Sequence, residues 1–330
     1  MDRIESIIKK TVTQGFALYC SKICVYLFAL GGLFTTFSLF VADSITCNIK
    51  SEEAHVKSVQ DHCLHYGFEY LSTEFENLCG LSKVDGHLKI QYYKFIQHYC
   101  LCCAGLIFLP LFLLSTCSKS IRILLESQDA KICKIKFYEI QHLFKKTFCA
   151  HLCTLFLQVV IIITITIWLD QIMNQQFMTL GWNVMTYYLY GNEDSKNPLC
   201  VIFPISTACS YPFLSDQGET KLESRLCTLT NSAFFQWFFT IMWAYIIFII
   251  IVTLVTIVFW LTLFRTSKLR APAIAILCDF KPELYENLEY ICEQMTVPQY
   301  FVLSCMMSCH ESNFNDNLII EISIYEYSKA

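Results

Sequence analysis

Charge is what this chain is short of. Asp, Glu, Lys and Arg make up 16% of its 330 residues, where a soluble protein carries about 25%. The formal net charge of −4 gives no reason to expect a nucleic-acid partner. Familiar catalytic signatures are missing as well: there is no glycine-rich phosphate loop, zinc-protease helix or nucleophile elbow. The long apolar runs contain no carboxylate, and their histidines, His98 and His151, fall near run ends, where interfacial hydrogen bonding accounts for them. A proton-coupled transporter or intramembrane protease places carboxylates or paired polar groups at membrane depth, so neither class fits, no enzyme is expected and no cofactor is called for. Asn-x-Ser/Thr sequons are also absent, so no N-glycan would obstruct one molecular surface from meeting another.

What is present is apolar length. Four windows are free of charge: Ile23–Ala42, Phe95–Ser118, Thr147–Leu169 and Leu226–Phe264. About 20 residues cross the hydrocarbon core, so the last window is read as a helix over 234–264. The expected fold class is an all-α membrane protein with spans at 23–42, 95–118, 147–169 and 234–264. The segments between and around them are 1–22, 43–94, 119–146, 170–233 and 265–330. The charged start precedes an apolar run too long for a signal core, so the first span is expected to act as its own insertion signal. Lys119, Arg122, Lys131, Lys134, Lys136, Lys145 and Lys146 crowd one short connection, whereas Asp170–Thr230 carries only Lys196, Lys221 and Arg225. The positive-inside rule puts the former in the cytoplasm, with both termini.

Segments 43–94 and 170–233 are then extracellular. Six of the 19 cysteines lie there: Cys47, Cys63 and Cys79 in the first, Cys200, Cys209 and Cys227 in the second. Disulfides are expected on that side of the membrane, though six cysteines allow 15 pairings. Cys100, Cys102 and Cys103 read as small packing residues between helices. Cys305, Cys309 and His310 are metal-ligand types, but no second pair lies near them and no metal site is assigned. In 1–22, Ile4, Ile7, Ile8 and Val12 share a helical face and Glu5 can pair with Lys9; the segment is either a membrane-surface helix or part of a pore. After Pro282, Leu284, Leu288, Ile291 and Met295 recur at helical spacing, and a helical cytoplasmic bundle is expected in 265–330. Four helices are too few to enclose a wide pathway, whereas a closed ring of identical subunits can.

Short motifs recur in a characteristic order. Tyr92-Tyr93-Lys94-Phe95, then Ala104 and Pro110, resemble the YYQW segment, with its alanine and proline, that enters the second span of the innexins, the invertebrate gap-junction proteins. Leu180-Gly181 with Tyr187 or Tyr188 is similar to the opening of that family's second outer loop. Phe203-Pro204, Thr207, Cys209 and Tyr211 resemble FPxxTxCxF/Y, and Cys227, Leu229 and Asn231 resemble CxLxxN with the asparagine one position early. Arg265 stands at the family's basic stop, and Tyr300-Phe301-Val302-Leu303 with Asn315 and Leu318 is similar to WFVL…N…F. Departures mark a diverged member, as a virus-encoded innexin would be. Phe95 replaces tryptophan, Ser44-Ile45-Thr46 replaces a proline-rich approach to Cys47, and Pro298-Gln299 replaces Gly-Asp. An acidic, glycine-containing segment after Pro110 is missing.

The resemblance implies a disulfide-braced extracellular cap on a large-pore channel ring. In a nested order Cys47 bonds Cys227, Cys63 bonds Cys209 and Cys79 bonds Cys200; the last pair is additional to the family's usual two cysteines per loop. It also implies an octameric homo-oligomer in the plasma membrane that docks with a ring on the neighbouring cell as a gap junction. Ions and small metabolites would pass passively, and heteromers with other innexins are possible partners. Residues 1–22 would fold into the cytoplasmic mouth, with Asp2, Arg3 and Glu5 lining it. Tyr92, Tyr93, Pro110, Phe203 and Pro204 would be structural. The basic residues of 119–146 would meet anionic membrane lipid or neighbouring tails. Two alternatives are a hemichannel that never docks and a four-span adhesion or scaffold protein.

Overall fold

Helix α1 (Phe16–Val41) begins directly after Gly15, whose φ of 75° lies in the left-handed region that glycine enters without strain. Residues 16–22 therefore belong to the first apolar helix, because nothing between Phe16 and Lys22 breaks it. The computed structural model describes residues 15–41, 45–47, 58–60, 62–63, 92–119, 121, 124, 126–173, 175–191, 197–214, 220–229, 231–278 and 281–328. After α1 come strand β1 (Ile45–Cys47) and helices α2 (Tyr92–Cys117), α3 (Ala130–Glu139), α4 (Gln141–Ile172), α5 (Phe177–Tyr190) and α6 (Pro198–Ile202). Strands β2 (Ser206–Leu214) and β3 (Thr220–Leu229) precede α7 (Ser232–Arg265). The C-terminal helices are α8 (Arg270–Leu277), α9 (Tyr285–Gln294), α10 (Val297–Cys309) and α11 (Ser312–Tyr327).

Among the described residues, four helices are long and apolar enough to cross a membrane, over Phe16–Phe37, His98–Cys117, Gln141–Ile172 and Ser232–Arg265. They correspond to the four charge-free windows. The helices overrun those windows because a helix stops at a breaker or cap, not where its side chains turn polar. The 34 residues of α7 extend about 51 Å, well beyond a core of about 30 Å. The expectation of an all-α chain needs one correction. Segment 170–233 holds α5, α6 and two strands, and with β1 these form a three-stranded antiparallel sheet in the order β1-β3-β2.

The chain divides into two compact units. One comprises Cys24–Gly105 and Ile162–Phe248 and carries the sheet. Within it, Gly31 lies against the ring of Phe238, and a Cβ on Gly32 would come within 2.9 Å of Leu101; the bare backbone of α1 thus sits close to both α7 and α2. The Tyr99 hydroxyl donates to the Ile165 carbonyl at 2.6 Å and fastens α2 to α4.

The other unit comprises Met1–Ile23, Leu106–Ile161 and Ile249–Ala330. Its core gathers Phe137 of α3, Phe144 of α4 and Leu288, Tyr300, Met306 and Leu318 from the last three helices. Asp129 caps α3 by accepting from Lys131 N, and Thr296 with Gln299 forms a capping box at α10. The imidazole of His151 is buried against the rings of Phe301 and Trp260. Its role is packing inside the unit.

Candidate functional site

Strand β3 is the centre of the cap. Its Arg-Leu-Cys-Thr-Leu end, residues 225–229, is flanked by antiparallel partners on both sides. On one edge β1 places Cys47 directly opposite Cys227, and the two are joined by a disulfide. On the other edge, β2 pairs with β3 from Thr220 to Thr228 and presents Cys209, which is bonded to Cys63. Residues 58–60 and 62–63 are helical, and Val59 and Cys63 are buried. The sulfurs of Cys47, Cys63 and Cys227 lie within 4.8 Å of one another, so the two cystines sit side by side. That is the metal-ligand grouping found among the described residues, and its sulfurs are already engaged in covalent bonds.

The crosslinks fix a topological fact. A residue following α1 is bonded to a residue preceding α7, so both loops lie on one face of the membrane. The chain between them must cross an even number of times, as α2 and α4 do. Cys200 is also disulfide-bonded; Cys79 lies outside the described residues.

The second family motif is the seam between sheet and span. Phe203 is fully buried and stacks on Phe239 at 5.5 Å. Its carbonyl accepts from Ser232 Oγ at 2.6 Å and from Gln236 Nε2 at 2.8 Å, both on the first turns of α7. Pro204 beside it is buried, and the Leu229 amide donates to the Ile205 carbonyl. The sheet is therefore hydrogen-bonded straight onto the last spanning helix. Sequence reasoning did not single out Ser232 and Gln236, although a serine at the very start of a long apolar run is a helix-start signal.

The remaining site residues fall in separate places. Pro110 is buried inside α2; a proline there removes one ladder bond, and Gln158 Nε2 lies 3.5 Å from the neighbouring Ile107 carbonyl. Tyr92 and Tyr93 open α2, with side chains outside the described part. Asp2, Arg3 and Glu5 lie outside the described residues as well. Cys305, Cys309 and His310 belong to the end of α10, where His310 stacks on Phe314 at 3.9 Å. Burial pushes the thiols of Cys292 and Cys305 up to about 12, and that of Cys133 to about 11 against the opposing pull of Lys136. These thiols stay protonated at neutral pH and behave as packing groups.

Four helices long and apolar enough to span a membrane, with two loops joined by cystines, define a multi-pass membrane protein with a covalently closed cap. The innexin family model matches residues 16–323, and the chain belongs to that family. It is similar to innexin shaking-B of Drosophila melanogaster, at 21% identity over 135 residues, covering 41% of this chain and 36% of that protein. Innexins form gap-junction channels and are channel proteins, not enzymes. This chain is accordingly a multi-pass protein of the plasma membrane at gap junctions.

Proposed function

We propose that the protein is the subunit of a large-pore channel, an octameric ring that docks through its cap with a ring on the adjacent cell and passes ions and small metabolites passively. The observation that carries this reading is the cap, in which β1 and two cystines make one body of two loops far apart in sequence. Each such crosslink contributes typically about 2–4 kcal/mol by restricting the unfolded chain, and a fixed rim is what end-to-end docking requires. The cap faces outward and both termini face the cytoplasm, in line with the basic residues between the second and third spans. The segment ahead of Gly15, with Asp2, Arg3 and Glu5, lines the narrowest part of the pathway, where a ring of charges sets the local field. Cys79 pairs with Cys200. The basic residues of 119–146 contact anionic lipid, and other innexins can join the ring.

The test is junctional conductance between paired cells expressing this chain alone, with each cell's own membrane conductance recorded alongside. Coupling is expected, and Cys63→Ser or Cys209→Ser should abolish it while protein still reaches the surface. Membrane current without coupling would instead identify an undocked hemichannel. Surface protein with neither current would sink the homomeric channel and leave an adhesion or scaffold role.

A further inference from the structure

Helix α5 is not a span and is not part of the sheet, yet its surface carries three stripes, with Tyr188 and Tyr190 exposed beside them in its last turn. Phe177, Leu180 and Gly181 are buried, with Gly181 pressed on the Trp243 ring. Met178, Trp182, Met185 and Leu189 are exposed, and at i, i+4, i+7 and i+11 they fall on one narrow stripe at roughly 100° per residue. Thr179, Asn183 and Thr186 form a polar stripe beside it.

The depth of this helix follows from its hydrogen bonds. The Met178 amide donates to Asp170 Oδ1 at 2.8 Å, and the Met178 carbonyl accepts from Trp243 Nε1 at 3.0 Å. Counting about 20 residues to cross the core, a span entered after Lys146 ends near Thr166, just short of Trp168 and Asp170. Counted back from Arg265, the span of α7 ends near Ile246, just short of Trp243. Both routes put Met178 at the cap-side boundary of the hydrocarbon. From Gln171 to Gly191 there is no charged residue, so the stripe offers nothing to an acidic or basic partner.

We propose that α5 is an interfacial helix whose Met178, Trp182, Met185 and Leu189 stripe is seated in the headgroup and upper acyl region of the cap-side leaflet. An apolar stripe carrying tryptophan and bordered by hydroxyl and amide groups suits that layer. The absence of charge makes zwitterionic lipid sufficient. Two bonds tie α5 to the third and fourth spans, so the leaflet holds the cap at a set height. The inference requires only the membrane placement and not docking or conduction.

The full-length protein is reconstituted in phosphatidylcholine nanodiscs carrying bromine either high on the acyl chain or near its end. Trp182→Phe, a conservative change at an exposed position, isolates the emission of Trp182 by difference. The expected result is loss of the Trp182 emission with the shallow bromine and a smaller loss with the deep one, unaltered by added anionic lipid. A tryptophan at Thr179 in the Trp182→Phe background, on the polar stripe, should keep more of its emission. Trp182 emission that resists both lipids overturns the proposal. If it is then quenched by aqueous iodide, the stripe faces water and is free for the opposite ring; if it is also shielded from iodide, a neighbouring subunit covers it.

Discussion

Arg270 shows how one side chain can hold a junction together. It is buried, and its guanidinium donates to the carbonyls of Leu263, Cys292 and Met295. Those carbonyls belong to the last turn of α7 and to the end of α9, where a helix leaves acceptors unpaired. The Tyr300 hydroxyl returns a bond to the Arg270 carbonyl at 3.1 Å. Arg270→Met should therefore lower the stability of the C-terminal unit by about 2–3 kcal/mol, because buried acceptors lose charged donors. Arg270→Lys should recover only part of this, since an ammonium cannot reproduce the planar fork. Limited proteolysis of the purified protein across a temperature series would read both. His310 adds a pH dependence at the same scale. Burial holds its imidazole below the ordinary value, against an opposing hydrogen bond to the Leu124 carbonyl. Below about pH 6.5 the unfolded chain takes up the proton more readily than the folded one, so stability is complete above that value and falls as pH drops towards the folded pKa. Amide exchange in α10 and α11, corrected for its intrinsic pH dependence, should quicken from pH 7 to pH 5, and His310→Gln should flatten the slope.

Between elements, α3 and α11 meet through polar groups at the rim of an apolar contact. Lys134 reaches Glu321 at 2.6 Å, with side chains about a fifth exposed at 21% and 19%, while Tyr138 donates to Glu326 and packs on Tyr325. The Lys134→Glu change should loosen α3 by no more than about 1 kcal/mol. Adding Glu321→Lys should restore most of the loss, the coupling being read from a double-mutant cycle on hydrogen exchange in α3. Elements of this kind differ in how openly the sequence declares them. The spans were legible because hydrocarbon admits no charge, and α9 because Leu288 and Ile291 repeat on one face next to Pro282. Helix α3 was not, because its lysines mark sidedness first of all and its buried Ala130, Cys133 and Phe137 are a sparse pattern. Helix α5 was not, because a charge-free stretch beside a span carries no mark of where the chain turns back, and that turn is made at Gln175 (φ 62°). The strands were the hardest. Lys221 and Arg225 make β3 look like a solvated loop, and while β2 lies close by in sequence, its other partner, β1, is one that no local window contains. The cysteine nesting implied by family resemblance matches the Cys47–Cys227 and Cys63–Cys209 bonds, yet the same thiols on spacing alone allowed many other pairings.

At the scale of the whole molecule, the cap is built from distant pieces of chain. Cys47 and Cys227 are separated by 180 positions, and Cys63 and Cys209 by 146. Synthesis runs from the N-terminus, so β1 with Cys47, and then Cys63, emerge well before the cysteines to which they are bonded. They must wait, unpaired, through the insertion of the second and third spans. Chains truncated before Cys209 should therefore leave Cys47 and Cys63 open to alkylation, whereas chains that include Cys227 should protect all four. Protection of Cys47 and Cys63 in the short chains would reveal a temporary pairing and refute the simple order. The sheet can take in β1 only after β3 has been made, and only if the intervening spans have crossed in the right number. A chain that fails to thread its third helix strands the two halves of the cap on opposite sides and keeps its thiols. The two cystines thus act as a receipt for correct insertion, legible to any compartment that inspects free thiols before releasing a membrane protein to the cell surface.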